Sequence, residues 1–376
     1  MKDSAIYIHI PFCDHKCIYC DFYSIITSDN IGRFLTSLKS EIQYYADKFS
    51  SQRIYSSIYF GGGTPSLMEP GYLHEIISYV KNNFKISEDA EISMETNPGT
   101  VDEAKLRLFR KAGINRISIG IQSFDNDDLK FLTRIHDKDT AIKTVLLAKE
   151  IGFDNINVDL IFNLPGQTKE KWKSNLQQAV ELPVKHISAY SLILERGTIL
   201  NKMVLDGKVA IQDDDYDAEL YEITIDFLNA NGFLQYEVSN FCEPGYECRH
   251  NNAYWRYRDY LSFGPSAHSF VDGRRWWNFS SLKHYISEIE KNGTAVAGYE
   301  DISSEMALNE YIMLALRSKG LDFHELERKF GGFWLQRQNE FLTKLSEQKL
   351  ILFDNNFISL TPKGYAICDE ILSRLL

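Results

Sequence analysis

The sequence predicts an α/β protein whose first part is a partial (β/α)6 barrel of the TIM type. Six strand-like segments between residues 5 and 192 alternate with segments of helical periodicity, a pattern typical of a parallel sheet covered by helices. A shift in composition near residue 200 marks the end of this pattern. We therefore predict a barrel at residues 1–225, a mixed α/β extension at 226–300 and a winged-helix-like domain at 301–376.

The first predicted strand covers residues 5–10, and Pro11 ends it because proline has no N–H to donate. Cys13, Cys17 and Cys20 follow at the spacing C-x3-C-x2-C. A structural zinc site takes four ligands, usually as two C-x2-C pairs. Three thiolates on one loop instead suit a cubane iron–sulfur cluster with one iron open to a non-protein ligand. Buried or zinc-bound cysteines are the alternative.

The second and third strands also end in features that suit a ligand site. A helix at residues 31–49 leads to a strand at 54–60, which runs into Gly61-Gly-Gly-Thr-Pro65. Glycines at this place let the backbone approach a ligand closely, although a plain tight turn explains them equally well. The third strand, at 90–96, carries Glu95 near its end.

The remaining barrel strands are predicted at residues 116–124, 155–162 and 185–192. Polar residues recur at the carboxyl ends of the successive strands, namely Glu95, Gln122, Asp159 and Tyr190. In a barrel these ends meet at one rim, so we expect one shared site rather than four solvated loop residues.

The second half of the chain gives weaker signals. We predict a helix at 211–231, a strand at 233–241 and then an aromatic-rich segment. Residues 301–376 contain 9 Lys and Arg against 11 Asp and Glu, which disfavours DNA reading by a winged-helix-like domain. Its predicted elements are helices at 309–317, 323–330, 335–348 and 362–372 and wing strands at 350–353 and 356–360.

The cysteine loop, together with the Gly-Gly-Gly-Thr-Pro segment one strand later, resembles the radical S-adenosylmethionine (SAM) superfamily. Nearly the whole chain resembles the coproporphyrinogen III oxidase-like branch of that superfamily. This resemblance implies that Cys13, Cys17 and Cys20 bind a [4Fe–4S] cluster whose open iron takes SAM. It further implies contacts to the cluster or SAM by these residues: Tyr7, Tyr19, Gly62, Gly63, Thr64, Glu95, Gln122, Arg134 and Asp159.

Two departures from the oxidases of this branch match its shorter sister group, the haem chaperones. The oxidases carry a long segment before the cluster and a further cysteine as C-x-C, whereas 12 residues precede Cys13 here and Asp21 follows Cys20. The chaperones carry a His-Asn-x-x-Tyr-Trp motif tied to haem binding, present here from His250 to Trp255. The resemblance implies that His250 contacts haem; a packed loop histidine is the alternative. Cys242 and Cys248 flank the motif and are either soft ligands or buried thiols, whereas Cys368 in the last predicted helix is expected in the core.

The leading hypothesis is therefore a haem chaperone that retains a [4Fe–4S] cluster and a SAM site. The alternatives are an oxygen-independent coproporphyrinogen III oxidase, whose activity we do not expect, a related radical SAM methyltransferase, and a DNA-binding regulator. The net charge of −11 disfavours nucleic acid as a partner.

The expected partners are haem or another tetrapyrrole, an unidentified haem-acceptor protein and, in a homodimer, a second copy of the chain. No apolar run reaches the ~18 residues of a membrane span, which leaves only peripheral association with a membrane. Six cysteines without a signal peptide indicate the reducing cytoplasm.

Overall fold

The computed structural model describes residues 1–27, 29–354 and 356–376. Six parallel strands in sequential order form the centre of the molecule, which confirms the predicted fold class. The strands are β1 (Lys2–Ile10), β2 (Arg53–Gly62), β3 (Ile86–Thr96), β4 (Arg116–Gln122), β5 (Asn155–Phe162) and β6 (His186–Ser191).

Six helices cover the outer face of these strands. Side chains of alternate strand residues, such as Ile58 and Phe60, are fully buried against them. Several helices begin at a residue whose side chain accepts a backbone N–H, as Asp137 does from Thr140. The helices are α1 (Ile31–Phe49), α2 (Pro70–Asn83), α3 (Glu103–Lys111), α4 (Asn126–Phe131), α5 (Lys138–Ile151) and α6 (Lys169–Glu181).

Further strands continue this sheet on both sides. The added elements are α7 (Ile199–Leu205), α8 (Asp214–Ala230), β7 (Leu234–Glu237), β8 (Asn240–Cys242), α9 (Arg249–Trp255), β9 (Tyr260–Phe263), β10 (His268–Val271), β11 (Arg274–Asn278), α10 (Leu282–Asn292) and β12 (Val296–Asp301). On one side β9 pairs parallel with β1, and on the other β8 pairs antiparallel with β6. The full order is β12-β11-β10-β9-β1-β2-β3-β4-β5-β6-β8-β7, so the sheet is open in the described part of the chain.

The single strand predicted at residues 233–241 is two antiparallel strands in the structure. Val238 interrupts it because its backbone bonds elsewhere: its N–H donates to Arg317 O at 2.9 Å, and its carbonyl accepts from the Tyr221 hydroxyl at 2.6 Å. Short-range periodicity could not show these distant partners.

The C-terminal segment has a hydrophobic core of its own, separate from the core around the large sheet. The predicted two-stranded wing gains a third strand, and the last predicted helix is divided near Ile367. The predicted domain limits stay predictions. Among the described residues no helix combines the length and apolarity needed to cross a membrane. The elements are α11 (Ser304–Leu316), β13 (Leu321–Asp322), α12 (Phe323–Phe330), α13 (Phe333–Glu347), β14 (Ile351–Phe353), β15 (Phe357–Leu360), α14 (Pro362–Ala366) and α15 (Cys368–Leu375).

Candidate functional site

A pocket of about 500 Å³ opens at the carboxyl ends of the parallel strands. This volume lies within the range of about 300–1,000 Å³ that small-molecule sites occupy. The pocket brings together residues from across the first half of the chain. The predicted site residues that line it are Cys13, Cys17, Tyr19, Cys20, Gly62, Gly63, Thr64, Glu95, Gln122, Arg134 and Asp159.

Backbone hydrogen bonds fix the base of the cysteine loop next to the end of β2. The Cys13 N–H donates to Ile25 O at 3.0 Å, and the Ile25 N–H donates to Pro11 O at 2.8 Å. The Thr64 N–H donates to Phe12 O at 2.7 Å. The loop and the glycine-rich segment are therefore one packed unit, although more than forty residues separate them along the chain.

Polar side chains connect two of the three cysteines. The Cys13 Sγ lies 3.3 Å from the Thr64 Oγ1, which accepts from Asn97 Nδ2 at 3.0 Å. Arg134 donates to Asn97 Oδ1 at 2.7 Å and lies 3.6 Å from the Cys17 Sγ. Thr64, Asn97 and Arg134 thus link the Cys13 and Cys17 side chains through one chain of polar contacts.

The three thiols fit an iron–sulfur cluster better than a single metal ion. All three are free and half-buried at the pocket wall. Within the described ranges, no three His, Cys, Asp or Glu side chains are grouped closely enough to hold one ion. A cubane cluster does not need such a group, because each of its thiolates binds a different iron. Cluster binding by the three cysteines stays a prediction at this point.

Glu95 presents a carboxylate inside the pocket, held from two sides. Its Oε2 accepts the Gly62 N–H at 3.2 Å, and its Oε1 accepts the Tyr59 hydroxyl at 3.1 Å. Gly62 has a φ of 111°, a left-handed conformation that favours glycine. Burial, with a further contribution from the negative charge of Asp159, raises the pKa of Glu95 to about 7. A carboxylate placed in this way suits a cationic ligand group such as an ammonium.

The interior of the barrel below the pocket is polar rather than apolar. Asp159 accepts from Ser118 at 3.1 Å and from Asn157 at 2.7 Å, and burial raises the pKa of Asp159. Arg116 and Ser118, two residues apart on β4, both face this interior network. The polar residues predicted at the carboxyl ends of the strands therefore continue into a polar layer inside the barrel.

Two predicted site residues, Tyr7 and His250, are not among those that line the pocket. The Tyr7 hydroxyl lies 3.2 Å from His9 Nδ1. His250 lies on α9, is 2% exposed, and has both ring nitrogens bonded, Nδ1 to Ser57 Oγ at 3.2 Å and Nε2 to the Tyr254 hydroxyl at 2.8 Å. Burial lowers the pKa of His250 to about 3, so the imidazole is neutral. Its contact with haem stays a prediction.

The flanking cysteines are buried thiols in the structure. Burial raises the pKa of Cys242 and that of Cys248 to about 12, so both stay protonated at neutral pH. Cys368 is buried in the C-terminal core. Burial disfavours the thiolate that a soft metal ligand requires.

Sequence reasoning missed Tyr59 and gave no role to Asn97, although both line the pocket. The alternation of side chains along β2 could have indicated Tyr59, because every second residue of a strand lies on the same face. Tyr59 and Gly61 lie on the face opposite Ile58 and Phe60, which are buried in the core.

Two family models match the chain. One, described as the radical SAM superfamily, matches residues 7–179. The other, described as the HemN C-terminal domain, matches residues 302–367.

Several known proteins are similar along the whole chain. The "Heme chaperone HemW" of Bacillus subtilis is 34% identical over 375 residues, covering 99% of each chain. That of Lactococcus lactis is 34% identical over 379 residues, covering 100% of this chain and 98% of its relative. The solved coproporphyrinogen III oxidase HemN of Escherichia coli superposes with a TM-score of 0.85 at 24% identity, covering 100% of this chain and 90% of the other. This last likeness concerns the fold.

Proposed function

This chain belongs to the family of the haem chaperone HemW within the radical SAM superfamily, and on that premise we propose that it binds haem and passes it to an acceptor protein. The observation that carries the proposal is the 34% identity to such chaperones along the whole chain. The radical SAM superfamily implies a [4Fe–4S] cluster and SAM, and the proposal assigns both to the pocket.

The residues of the pocket suit that assignment. We propose Cys13, Cys17 and Cys20 as the cluster ligands, because their free thiols share one wall of the pocket. Glu95 and the backbone at Gly62 would hold SAM. The proposal also includes the predicted SAM contacts of six further residues, namely Tyr19, Gly63, Thr64, Gln122, Arg134 and Asp159. When bound, cluster and SAM together supply one-electron reductive chemistry.

The side chains at the rim of the pocket suit a flat apolar ligand. Phe22, Ile135 and Ile193 line the mouth and are 64%, 58% and 67% exposed. Exposed apolar side chains gathered at one opening are typical of a binding surface. A haem macrocycle has a large apolar face that matches such a rim.

His250 remains our proposed haem ligand, and its packing sets a condition on that role. The Nε2 atom lies 2.8 Å from the Tyr254 hydroxyl, so this contact must open before Nε2 can reach iron. The neutral imidazole is the form that binds a metal. Because His250 does not line the pocket, its ligation of a haem held at the rim requires a movement of α9 as well as the opening of the Tyr254 contact.

We further propose a cytoplasmic location, a protein acceptor for the haem and a homodimer. All six cysteines are free, which suits a reducing compartment. Light scattering of the purified protein tests the homodimer, and pull-down with haem-loaded protein as bait tests the acceptor.

One experiment separates the chaperone from the oxidase. Anaerobically reconstituted protein is titrated with haem, and in parallel incubated with coproporphyrinogen III, SAM and reductant. We expect near-stoichiometric haem binding and no vinyl product above the control without SAM. We expect His250→Ala to weaken haem binding or shift the Soret band. Vinyl product that depends on SAM would overturn the proposal in favour of the oxidase.

A further inference from the structure

Tyr59 connects the pocket to a layer of side chains beneath it. Its hydroxyl donates to Glu95 Oε1 at 3.1 Å, and its ring faces the pocket. On its other side the Tyr59 ring stacks on the His250 ring, with centroids 5.0 Å apart and planes 25° apart. The position of His250 therefore limits where the Tyr59 hydroxyl can lie.

His250 is itself held from three directions. Ser57, two residues before Tyr59 on β2, bonds its Nδ1 at 3.2 Å, and the Tyr254 hydroxyl bonds its Nε2 at 2.8 Å. The Tyr7 ring lies against it with centroids 6.1 Å apart. Ser57 and His250 are both buried. A ring with these contacts has little freedom to tilt.

The helix that carries His250 is anchored to strands of the barrel. The Arg249 N–H donates to Glu91 Oε1 at 3.1 Å, and the Arg249 guanidinium donates to Asp89 O at 2.9 Å. Tyr254 packs edge-on against Tyr260 of β9, with centroids 4.6 Å apart. These contacts join α9 to β3 on one side and to the extension on the other.

The contact between Tyr59 and Glu95 crosses Gly61. A Cβ at Gly61 would lie 3.0 Å from Glu95 Oε1 and 3.1 Å from the Tyr59 ring. Such separations are tighter than ordinary van der Waals contact. The absence of a side chain at this position therefore leaves room for the two groups to meet.

We propose that His250 positions the Glu95 carboxylate through Tyr59, so that α9 acts as a support for the SAM site from outside the pocket. Tyr59 and His250 are positioning residues in this scheme. The inference rests on the SAM site of the proposed function and concerns the haem-free protein.

The test measures SAM affinity in full-length, haem-free protein after anaerobic reconstitution of the cluster. Equilibrium dialysis gives the affinity, and the paramagnetic spectrum of the reduced cluster reports SAM at the iron. Tyr59→Phe keeps the ring and deletes only the hydroxyl, while His250→Ala deletes the stacking partner. Tyr221→Phe is the matched control, because the Tyr221 hydroxyl bonds Val238 O and does not line the pocket.

We expect Tyr59→Phe and His250→Ala each to weaken SAM binding about tenfold, the effect of about 1.4 kcal/mol, with unchanged iron and sulfide content. If His250 acts through Tyr59, adding His250→Ala to Tyr59→Phe should cause less than a further twofold loss. Tyr221→Phe should bind SAM like the wild type.

Three outcomes would overturn the inference. Unchanged SAM affinity in Tyr59→Phe, or in His250→Ala, would show that the contacts do not position Glu95. A full additional loss from His250→Ala in the Tyr59→Phe background would show that His250 acts by another route. If the wild-type protein itself does not respond to SAM, the SAM site of the proposed function fails, and the inference fails with it.

Discussion

The three cysteines of the loop after β1 are the residues on which the proposed cluster depends most directly. We expect Cys13→Ala, Cys17→Ala and Cys20→Ala each to lose most bound iron and acid-labile sulfide, because the loop offers no replacement thiolate. Cys368→Ala is the control, since Cys368 is buried in the C-terminal core. Full iron and sulfide in any one of the three loop variants would contradict the assignment.

Glu95 gives the second prediction at this scale. Glu95→Gln removes the charge but keeps the side-chain size, so we expect SAM affinity to fall at least tenfold while iron content stays unchanged. Because the pKa of Glu95 is about 7, its carboxylate must lose a proton to pair with a cation. Wild-type SAM affinity should therefore rise between pH 6 and 8, and Glu95→Gln should flatten that rise. Equal pH dependence in both proteins would contradict this role.

At the residue scale, short motifs predicted side chains that meet in the pocket because their spacing is local. Cys13 to Cys20 and Gly61 to Pro65 each lie within a few residues, and the strands carry both groups to the same rim. Tyr59 was not predicted, because its role depends on packing against His250, which lies far away along the chain. A motif does not show which distant ring a side chain meets.

Among the secondary-structure elements, α1 is tied to the extension through a buried carboxylate. Glu41 is 0% exposed and accepts from the Gly264 N–H at 2.9 Å, Asn278 Nδ2 at 2.6 Å and the Tyr285 hydroxyl at 2.7 Å. Burial raises the pKa of Glu41 to about 7, from an ordinary value of 4.5. The folded protein therefore binds this proton more tightly than the unfolded chain does.

The sign of the resulting pH dependence follows from that difference. The stabilisation by protonated Glu41 is complete below about pH 4.5 and is lost as the pH rises through about 7. The free energy of unfolding should fall by about 3 kcal/mol over this range. Urea unfolding of cluster-free protein at pH 5 and pH 8 measures the loss. Glu41→Gln should show a smaller difference between the two pH values than the wild type. The exposed control Glu103→Gln should show the same difference as the wild type. An equal difference in unfolding free energy between pH 5 and pH 8 for Glu41→Gln and the wild type would contradict the prediction.

The β/α units were predictable at the element scale and the strands of the extension were not. Strands such as β4 and β5 alternate apolar residues with polar ones and lie between helical segments, a repeating pattern typical of β/α units. Strands β9 to β11 have four or five residues each, and β9 pairs with β1 at the other end of the chain. Segments this short gain their structure from the sheet edge that they join.

At the scale of the whole molecule, the described chain has two main hydrophobic cores, one around the large sheet and one in the C-terminal segment. Polar contacts connect the two parts: the Val238 N–H donates to Arg317 O at 2.9 Å, and Lys319 pairs with Glu247 at 3.2 Å. Within the described ranges, the residues that line the pocket lie between Cys13 and Glu195. Stability of the C-terminal core and ligand binding at the pocket should therefore respond to different substitutions.

Leu342 tests this separation because it is fully buried in the C-terminal core. Leu342→Ala should lower the free energy of unfolding of that core by about 2–5 kcal/mol, the cost of a cavity left by a buried leucine. Iron content, sulfide content and SAM affinity should remain at wild-type values below the unfolding transition, because the cavity lies outside the core that supports the pocket. Leu352→Ala, a 65% exposed position in the same segment, is the control and should leave stability within about 0.5 kcal/mol of the wild type. Loss of the cluster in Leu342→Ala under conditions where the protein stays folded would mean that the two cores act as one cooperative unit.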